Sequence, residues 1–88
     1  MKEFEFIIKD KNGLHARPAG QLAMMAKTFE SEIEVKVGGK IANAKRLLSL
    51  MALGAKCGDT LTFQISGNDE EAAERALMEH CESKLGGE

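Results

Sequence analysis

Residues 13–19, with the sequence GLHARPA, predict the point at which a loop turns into the first helix of the chain. Gly13 permits a tight turn just before that helix. Pro18 is the only proline of the chain, and it suits the first turn of a helix, where a backbone amide has no intrahelical partner. His15 then falls at about the N-cap position. The sequence therefore predicts a helix that begins beside His15.

The apolar pattern on both sides of this stretch predicts the remaining elements. Steps of three and four residues over 16–29 indicate an amphipathic helix, and alternation indicates strands, with Gly38-Gly39 as a hairpin loop. The predicted strands cover 2–8, 32–37, 40–42 and 60–66. The second helix is predicted over 45–53. The last helix is predicted to begin at a cap formed by Asn68 or Asp69 and to end at Gly86-Gly87. The order β-α-β-β-α-β-α predicts an α+β fold, an open-faced two-layer sandwich in which three helices cover one face of a four-stranded antiparallel sheet.

Several side chains of the later elements have predicted environments. The buried stripe of the last helix is predicted to contain Ala73, Ala76, Leu77 and Cys81. His80 lies near the C-terminal end of that helix, and we expect it at the surface and not as a ligand. Cys57 is expected to be a turn thiol.

Length and composition exclude several classes of protein. The 88 residues carry 12 basic and 14 acidic side chains, a formal net charge of −2, which gives no general attraction to nucleic acid. The two cysteines lack the spacing of a zinc site or a disulfide framework. The N-terminal segment has no apolar run long enough for a signal peptide or a membrane span. We expect a single domain over 1–88, cytoplasmic, with reduced thiols.

The charge is unevenly distributed along the chain. Residues 35–58 hold five basic side chains and no acidic one, whereas the segment from Asp69 to the end holds seven acidic and two basic ones. One interpretation is two solvated faces of opposite sign. The other is a positive segment that steers an acidic partner.

The GLHARPA stretch combines groups suited to phosphoryl chemistry. A helix N-terminus attracts anions and disfavours a protonated imidazole, so His15 would keep a nucleophilic nitrogen. The amides of Ala16 and Arg17 would be free to bind phosphate oxygens, and the Arg17 guanidinium offers a matching fork. Together these groups predict a phosphohistidine. The alternative is an ordinary helix cap at His15 beside a solvated Arg17.

GLHARPA closely resembles the active-site motif of the HPr family, the histidine-containing phosphocarriers of the bacterial sugar phosphotransferase system. The similarity extends over nearly the whole chain, through the element order, the Gly39-Lys40 pair and the acidic last helix. The resemblance implies that His15 accepts a phosphoryl group on Nδ1 from phosphorylated enzyme I and passes it to sugar-specific IIA components. Ala16, Arg17 and Pro18 would bind the phosphate. The chain would be a stoichiometric carrier and not an enzyme, monomeric, without cofactor, metal, nucleic acid or membrane insertion.

The second helix is the expected docking surface for these partners. Its residues are too uniformly apolar to all face inward on a short helix, and leftover apolar groups often mark an interaction site. The resemblance assigns partner contacts to Leu14, Leu47, Leu48, Met51 and Gly54. We expect Leu48 to be exposed, whereas some of Leu47, Leu50 and Met51 belong to the core. The basic rim around this surface would consist of Arg17, Lys45 and Arg46.

Arg46 departs from part of the family. HPr of low-GC Gram-positive bacteria has a serine at the start of the second helix, which a dedicated kinase phosphorylates. An arginine cannot accept that phosphoryl group, so the resemblance does not support kinase-dependent regulation through this position. An alternative function is therefore a related regulatory module that docks on partners without relaying phosphate. A small enzyme or nucleic-acid binder is disfavoured, because the chain has no tyrosine or tryptophan and few acid–base pairs.

Overall fold

The computed structural model describes residues 1–86 and contains four strands and three helices in the predicted order. The strands are β1 (Lys2–Ile7), β2 (Glu32–Val37), β3 (Lys40–Asn43) and β4 (Thr60–Ser66), and the helices are α1 (Ala16–Lys27), α2 (Leu47–Met51) and α3 (Glu70–Leu85). None of these helices combines the length and the hydrophobicity that a bilayer span requires. Gly86 is the C-cap of α3, and the predicted end at Gly87 lies outside the described residues.

The four strands form one antiparallel sheet in the order β1-β4-β2-β3. Phe63 on the central strand β4 pairs with Phe4 on one side and with Val35 on the other. The rings of Phe4 and Phe63 stack with their centroids 4.7 Å apart. Phe63 and Val35 are completely buried and Phe4 packs against the hydrophobic core, so this row lies on the face of the sheet that the helices cover. The predicted open-faced sandwich is confirmed.

Helix α1 contacts α2 and α3, and most of the side chains that it buries are small. Its buried residues include Ala19, Leu22, Ala23 and Ala26, at the predicted steps of three and four. The helix ends at Lys27, two residues before the predicted end at Phe29, because Thr28 serves as the C-cap. The Thr28 hydroxyl donates a hydrogen bond to the Met25 carbonyl oxygen at 2.7 Å. Because α1 ends at Lys27, residues 28–31 form the connection to β2.

The prediction that His80 lies at the surface is wrong. Helix α3 buries Leu77 and Cys81 completely, and His80 is only 6% exposed. The physical reason is that His80 lies three residues after Leu77, so it shares the face of α3 that packs against the protein. Burial lowers the pKa of His80, although the Pro18 carbonyl opposes this shift. The last helix therefore carries a histidine that folding favours in its neutral form.

Helix α2 is shorter than the predicted 45–53. The amide of Lys45 donates to Oδ1 of Asn43 at 2.9 Å, and the amide of Arg46 donates to the Asn43 carbonyl at 3.0 Å. These bonds form a turn that keeps both basic residues out of the helix, and Arg46 becomes its N-cap. After the helix, Gly54 adopts a positive φ of 63°, a conformation typical of helix ends.

Candidate functional site

His15 is the N-cap residue of α1, as the sequence predicted. Its backbone is extended, with φ −88° and ψ −175°, and its carbonyl accepts a hydrogen bond from the Ala19 amide at 3.0 Å. Its side chain makes no capping hydrogen bond and is 40% exposed. The imidazole is therefore accessible and is not occupied in closing the helix.

The loop that carries His15 is packed tightly against the segment after α2. Gly13 has a φ of +69°, and a Cβ atom there would lie 2.6 Å from the Ala55 carbonyl oxygen and 2.9 Å from Cα of Lys56. The next amide, of Leu14, donates to the same Ala55 oxygen at 3.1 Å. Only glycine combines this conformation with this close approach. The contact fixes the position of His15 relative to the end of α2.

The first turn of α1 provides the elements of an anion site. Within residues 1–86, the amides of Ala16 and Arg17 donate no hydrogen bond to another residue, and both residues are exposed. The first turn contains no acidic residue, so no side chain of that turn offsets the positive end of the helix dipole. Pro18 is buried and has no N–H. It shapes the turn, whereas Ala16 and Arg17 hold the groups that face solvent.

Asp10 is a neighbour of His15 that the sequence reasoning missed. Its Oδ2 atom lies 4.0 Å from Nε2 of His15, while its Oδ1 atom accepts a hydrogen bond from the Asn12 amide at 2.8 Å. The second contact is an Asx turn, in which a side-chain oxygen binds the amide two residues later. An aspartate followed by Asn12-Gly13 is a recognisable signal for such a turn, and it could have placed this carboxylate beside the loop.

Helix α2 divides its apolar residues between the core and the surface. Leu50 is completely buried, whereas Leu48 is 82% exposed and Leu47 and Met51 are partly exposed. Gly54 is exposed as well. We name Leu47, Leu48 and Met51 the α2 patch. The expected exposure of Leu48 is confirmed, and within the group of Leu47, Leu50 and Met51 it is Leu50 that enters the core.

Two of the residues expected at the docking surface are placed elsewhere. Leu14 is 6% exposed and belongs to the hydrophobic core, because the loop folds its side chain inward beside the Ala55 contact. Lys45 was expected in the basic rim, but its Nζ atom donates to the Phe29 carbonyl oxygen at 2.8 Å in a partly buried position. Of the three residues expected in the basic rim, Arg17 and Arg46 are exposed.

The two cysteines occupy the environments that the sequence predicted. Cys57 is exposed in a turn and Cys81 is buried, where burial raises the pKa of its thiol to about 12. Across residues 1–86, no three side chains of His, Cys, Asp or Glu come together in a group that could bind a metal ion.

Comparison with known proteins agrees with this geometry. The family model described as the PTS HPr component phosphorylation site matches residues 2–83. The phosphocarrier protein HPr of Lysinibacillus sphaericus is 44% identical over 77 residues, which are 88% of each chain. The HPr-like protein Crh of Halalkalibacterium halodurans is 40% identical over 84 residues, which are 96% of this chain and 100% of that protein.

A solved structure with the same fold supports the assignment. The structure of the histidine-containing phosphocarrier protein of a mycoplasma superposes with a TM-score of 0.93 at 38% identity, covering 96% of each chain. The chain described here therefore belongs to the HPr family, the phosphocarrier component of the phosphotransferase system.

Proposed function

We propose that this protein accepts a phosphoryl group on His15 from phosphorylated enzyme I and passes it to sugar-specific IIA components. The observation that carries the proposal is the placement of His15 as an exposed N-cap with no capping bond, directly before two free amides. The imidazole supplies the nucleophile. The amides of Ala16 and Arg17, together with the Arg17 guanidinium, would bind the phosphate oxygens.

The carrier role requires no further catalytic group on this chain. Phosphoryl transfer depends mainly on positioning and on stabilisation of the charge on the transferred group, both of which a partner can share. We therefore propose that the protein is a stoichiometric carrier and not an enzyme. The labile N–P bond would allow the group to leave on contact with an acceptor.

The α2 patch supports the docking part of the proposal. Leu48 is an apolar side chain that is 82% exposed, and exposed apolar groups often mark interaction sites. The exposed Arg17 and Arg46 would attract an acidic partner surface. The Gly13–Ala55 contact joins the loop that carries His15 to the segment after α2, which supports the proposal that one partner engages both the nucleophile and the α2 patch.

A phosphorylation assay tests the relay directly. Incubation with phosphoenolpyruvate and enzyme I should add one acid-labile phosphoryl group, detected by intact-protein mass spectrometry. The matched variants are His15→Ala and His80→Leu, which remove one histidine each. Loss of the modification in the first variant only would support the proposal, whereas an unmodified wild-type protein would contradict it.

A second candidate function is a regulatory docking module that uses the same surface without a relay. The similarity to Crh of Bacillus subtilis, whose structures are described as those of a catabolite repression protein, favours this possibility. The retention of His15 beside free amides argues against it, because docking alone needs neither. Restoration of sugar uptake in a strain that lacks HPr would support the relay. Failure of the wild-type protein to restore uptake, despite normal expression, would support the docking module.

The remaining properties follow from the same proposal. We propose that residues 1–88 act as one domain, as a monomer and in the cytoplasm, where enzyme I and IIA proteins would be available. The absence of a serine at Arg46 leads us to propose that a kinase specific for that position does not regulate this chain. Light scattering at working concentration tests the monomer, and a stable dimer would contradict it.

A further inference from the structure

The carboxylate of Asp10 is held in a fixed position beside the nucleophile. Its Oδ2 atom lies 4.0 Å from Nε2 of His15. Its Oδ1 atom accepts from the Asn12 amide at 2.8 Å, its carbonyl accepts from the Gly13 amide at 2.9 Å, and its own amide donates to the Leu85 carbonyl at 3.2 Å. These bonds occupy both backbone groups and one carboxylate oxygen. Oδ2 is the oxygen that lies nearest the imidazole.

We propose that Asp10 is a positioning residue that keeps the neutral His15 imidazole protonated on Nε2. A neutral imidazole has one N–H donor and one nitrogen lone pair. A negative oxygen near Nε2 stabilises the proton on that nitrogen, so the lone pair lies on Nδ1. Asp10 thereby selects which nitrogen is nucleophilic. The functional consequence rests on the proposed phosphoryl relay, whereas the tautomer itself does not.

The phosphoryl transfer needs no additional base, because no proton has to leave the imidazole. The Nδ1 lone pair of His15 forms the N–P bond while the bond from phosphorus to the donor side chain breaks, and the donor keeps that electron pair. The proton stays on Nε2, so the phosphorylated ring carries a positive charge that the Asp10 carboxylate partly offsets. When an acceptor attacks phosphorus, the N–P bond breaks and its electron pair returns to Nδ1.

The variant Asp10→Asn replaces the hydrogen-bond acceptor that faces the His15 ring with a donor. Its amide oxygen can still accept from the Asn12 amide, but an NH₂ donor replaces the oxygen near Nε2. A donor there favours the lone pair on Nε2 and the proton on Nδ1, which is the wrong tautomer for transfer. For an exposed pair at this distance, we expect the ratio of Nε2–H to Nδ1–H to fall about two- to fivefold.

The ratio is measured by ¹⁵N NMR of the imidazole at about pH 8.5, where histidine is neutral, with no phosphoryl donor present. The matched control is Asp59→Asn, because Oδ2 of Asp59 also accepts a backbone amide, from Lys56 at 2.9 Å. The signals of His80 in the same spectrum report whether each variant is folded. If Asp10→Asn loses them, Asp10→Ser, which keeps a short acceptor but no charge, replaces it.

An unchanged ratio in the Asp10 variant would overturn the proposal, and so would an equal change in the Asp59 variant. A shift confined to Asp10, accompanied by slower phosphorylation at unchanged KM for the donor, would support it. Because the tautomer ratio is measured without a phosphoryl donor, it tests the role of Asp10 separately from the proposed phosphoryl relay. A shifted ratio in a protein that enzyme I does not phosphorylate would contradict the relay and leave the role of Asp10 supported.

Discussion

Nζ of Lys45 donates a hydrogen bond to the carbonyl oxygen of Phe29 at 2.8 Å, across sixteen residues of sequence. The bond ties the turn before α2 to the loop after α1. It satisfies a carbonyl that follows the end of a helix, where intrahelical donors are missing. The side chain is only partly exposed, so water does not fully replace this contact. We therefore expect Lys45 to stabilise the fold.

Replacement of Lys45 tests this assignment. Lys45→Met keeps most of the aliphatic chain but removes the donor, so we expect the free energy of unfolding to fall by about 1–2 kcal/mol. Urea denaturation measures the change, with Lys40→Met on β3 as an exposed control. A loss of affinity for enzyme I without a loss of stability would contradict the structural role.

Leu48 and Leu50 form a matched pair for the α2 patch. Leu48→Ala should raise the KM for enzyme I by roughly tenfold, while the free energy of unfolding changes by less than about 0.5 kcal/mol because the side chain is 82% exposed. Leu50→Ala should cost about 2–5 kcal/mol of stability, since Leu50 is completely buried. Steady-state kinetics and denaturation distinguish the two. Similar losses of stability in both variants would place Leu48 in the core.

Charge reversal at Arg17 tests the anion site. Arg17→Glu places a negative charge at the N-terminal turn of α1, where it would repel the transferring group, and we expect phosphorylation of His15 to slow by at least about a hundredfold. The side chain is exposed, so the thermal midpoint should stay nearly constant. Arg75→Glu on α3 is the control. Comparable slowing in both variants would indicate a general charge effect instead of a site.

The burial of His80 predicts a pH-dependent stability. Because desolvation lowers the pKa of His80 below its usual 6.5, the unfolded state binds a proton more readily than the folded state. Stability is thus full above about pH 6.5 and falls as the pH drops toward the lower, folded-state pKa. Denaturation at about pH 8 and about pH 5.5 measures the difference. His80→Leu should weaken the pH dependence, and an identical dependence in that variant would refute the argument.

Gly20 offers a stabilising substitution. It lies inside α1, and a Cβ atom there would meet nothing within 4 Å. Gly20→Ala should therefore raise the free energy of unfolding by about 0.5–1 kcal/mol through reduced backbone entropy of the unfolded chain. The contrasting variant is Gly67→Ala, whose Cβ would lie 2.7 Å from Cα of Ser31 and should destabilise the protein. Thermal unfolding of both variants tests this: the midpoint should rise for Gly20→Ala and fall for Gly67→Ala.

The elements with strong periodicity could be predicted from the sequence. Strand β4 has the predicted bounds of 60 and 66, and α1 begins directly after the predicted N-cap at His15. Both depend on nearby residues: alternation along one strand, and a proline in one helical turn. Local patterns of this kind are present before any tertiary contact forms.

The side-chain partners could not be predicted, because they join distant parts of the chain. The sequence offers Asn68 or Asp69 as the cap of α3. Asp69 is the N-cap residue, but its carboxylate accepts hydrogen bonds from the amides of Glu30 and Ser31. A hydrogen bond from the Ser31 hydroxyl is the main cause that lowers the pKa of Asp69, and the two amide bonds add to it. The contacts of Lys45 and the burial of His80 likewise depend on how helices pack, which periodicity alone does not specify.

The close approach of Gly13 to Ala55 and Lys56 also determines which segments would be needed to transfer this site to another protein. GLHARPA copied onto another loop–helix junction would lack the backbone that supports Gly13 from the opposite side. The Leu14 amide would also lose its acceptor, the Ala55 carbonyl oxygen. A successful graft would have to include residues 54–56 with the heptapeptide. The smallest transplantable unit of this site is thus two segments far apart in sequence.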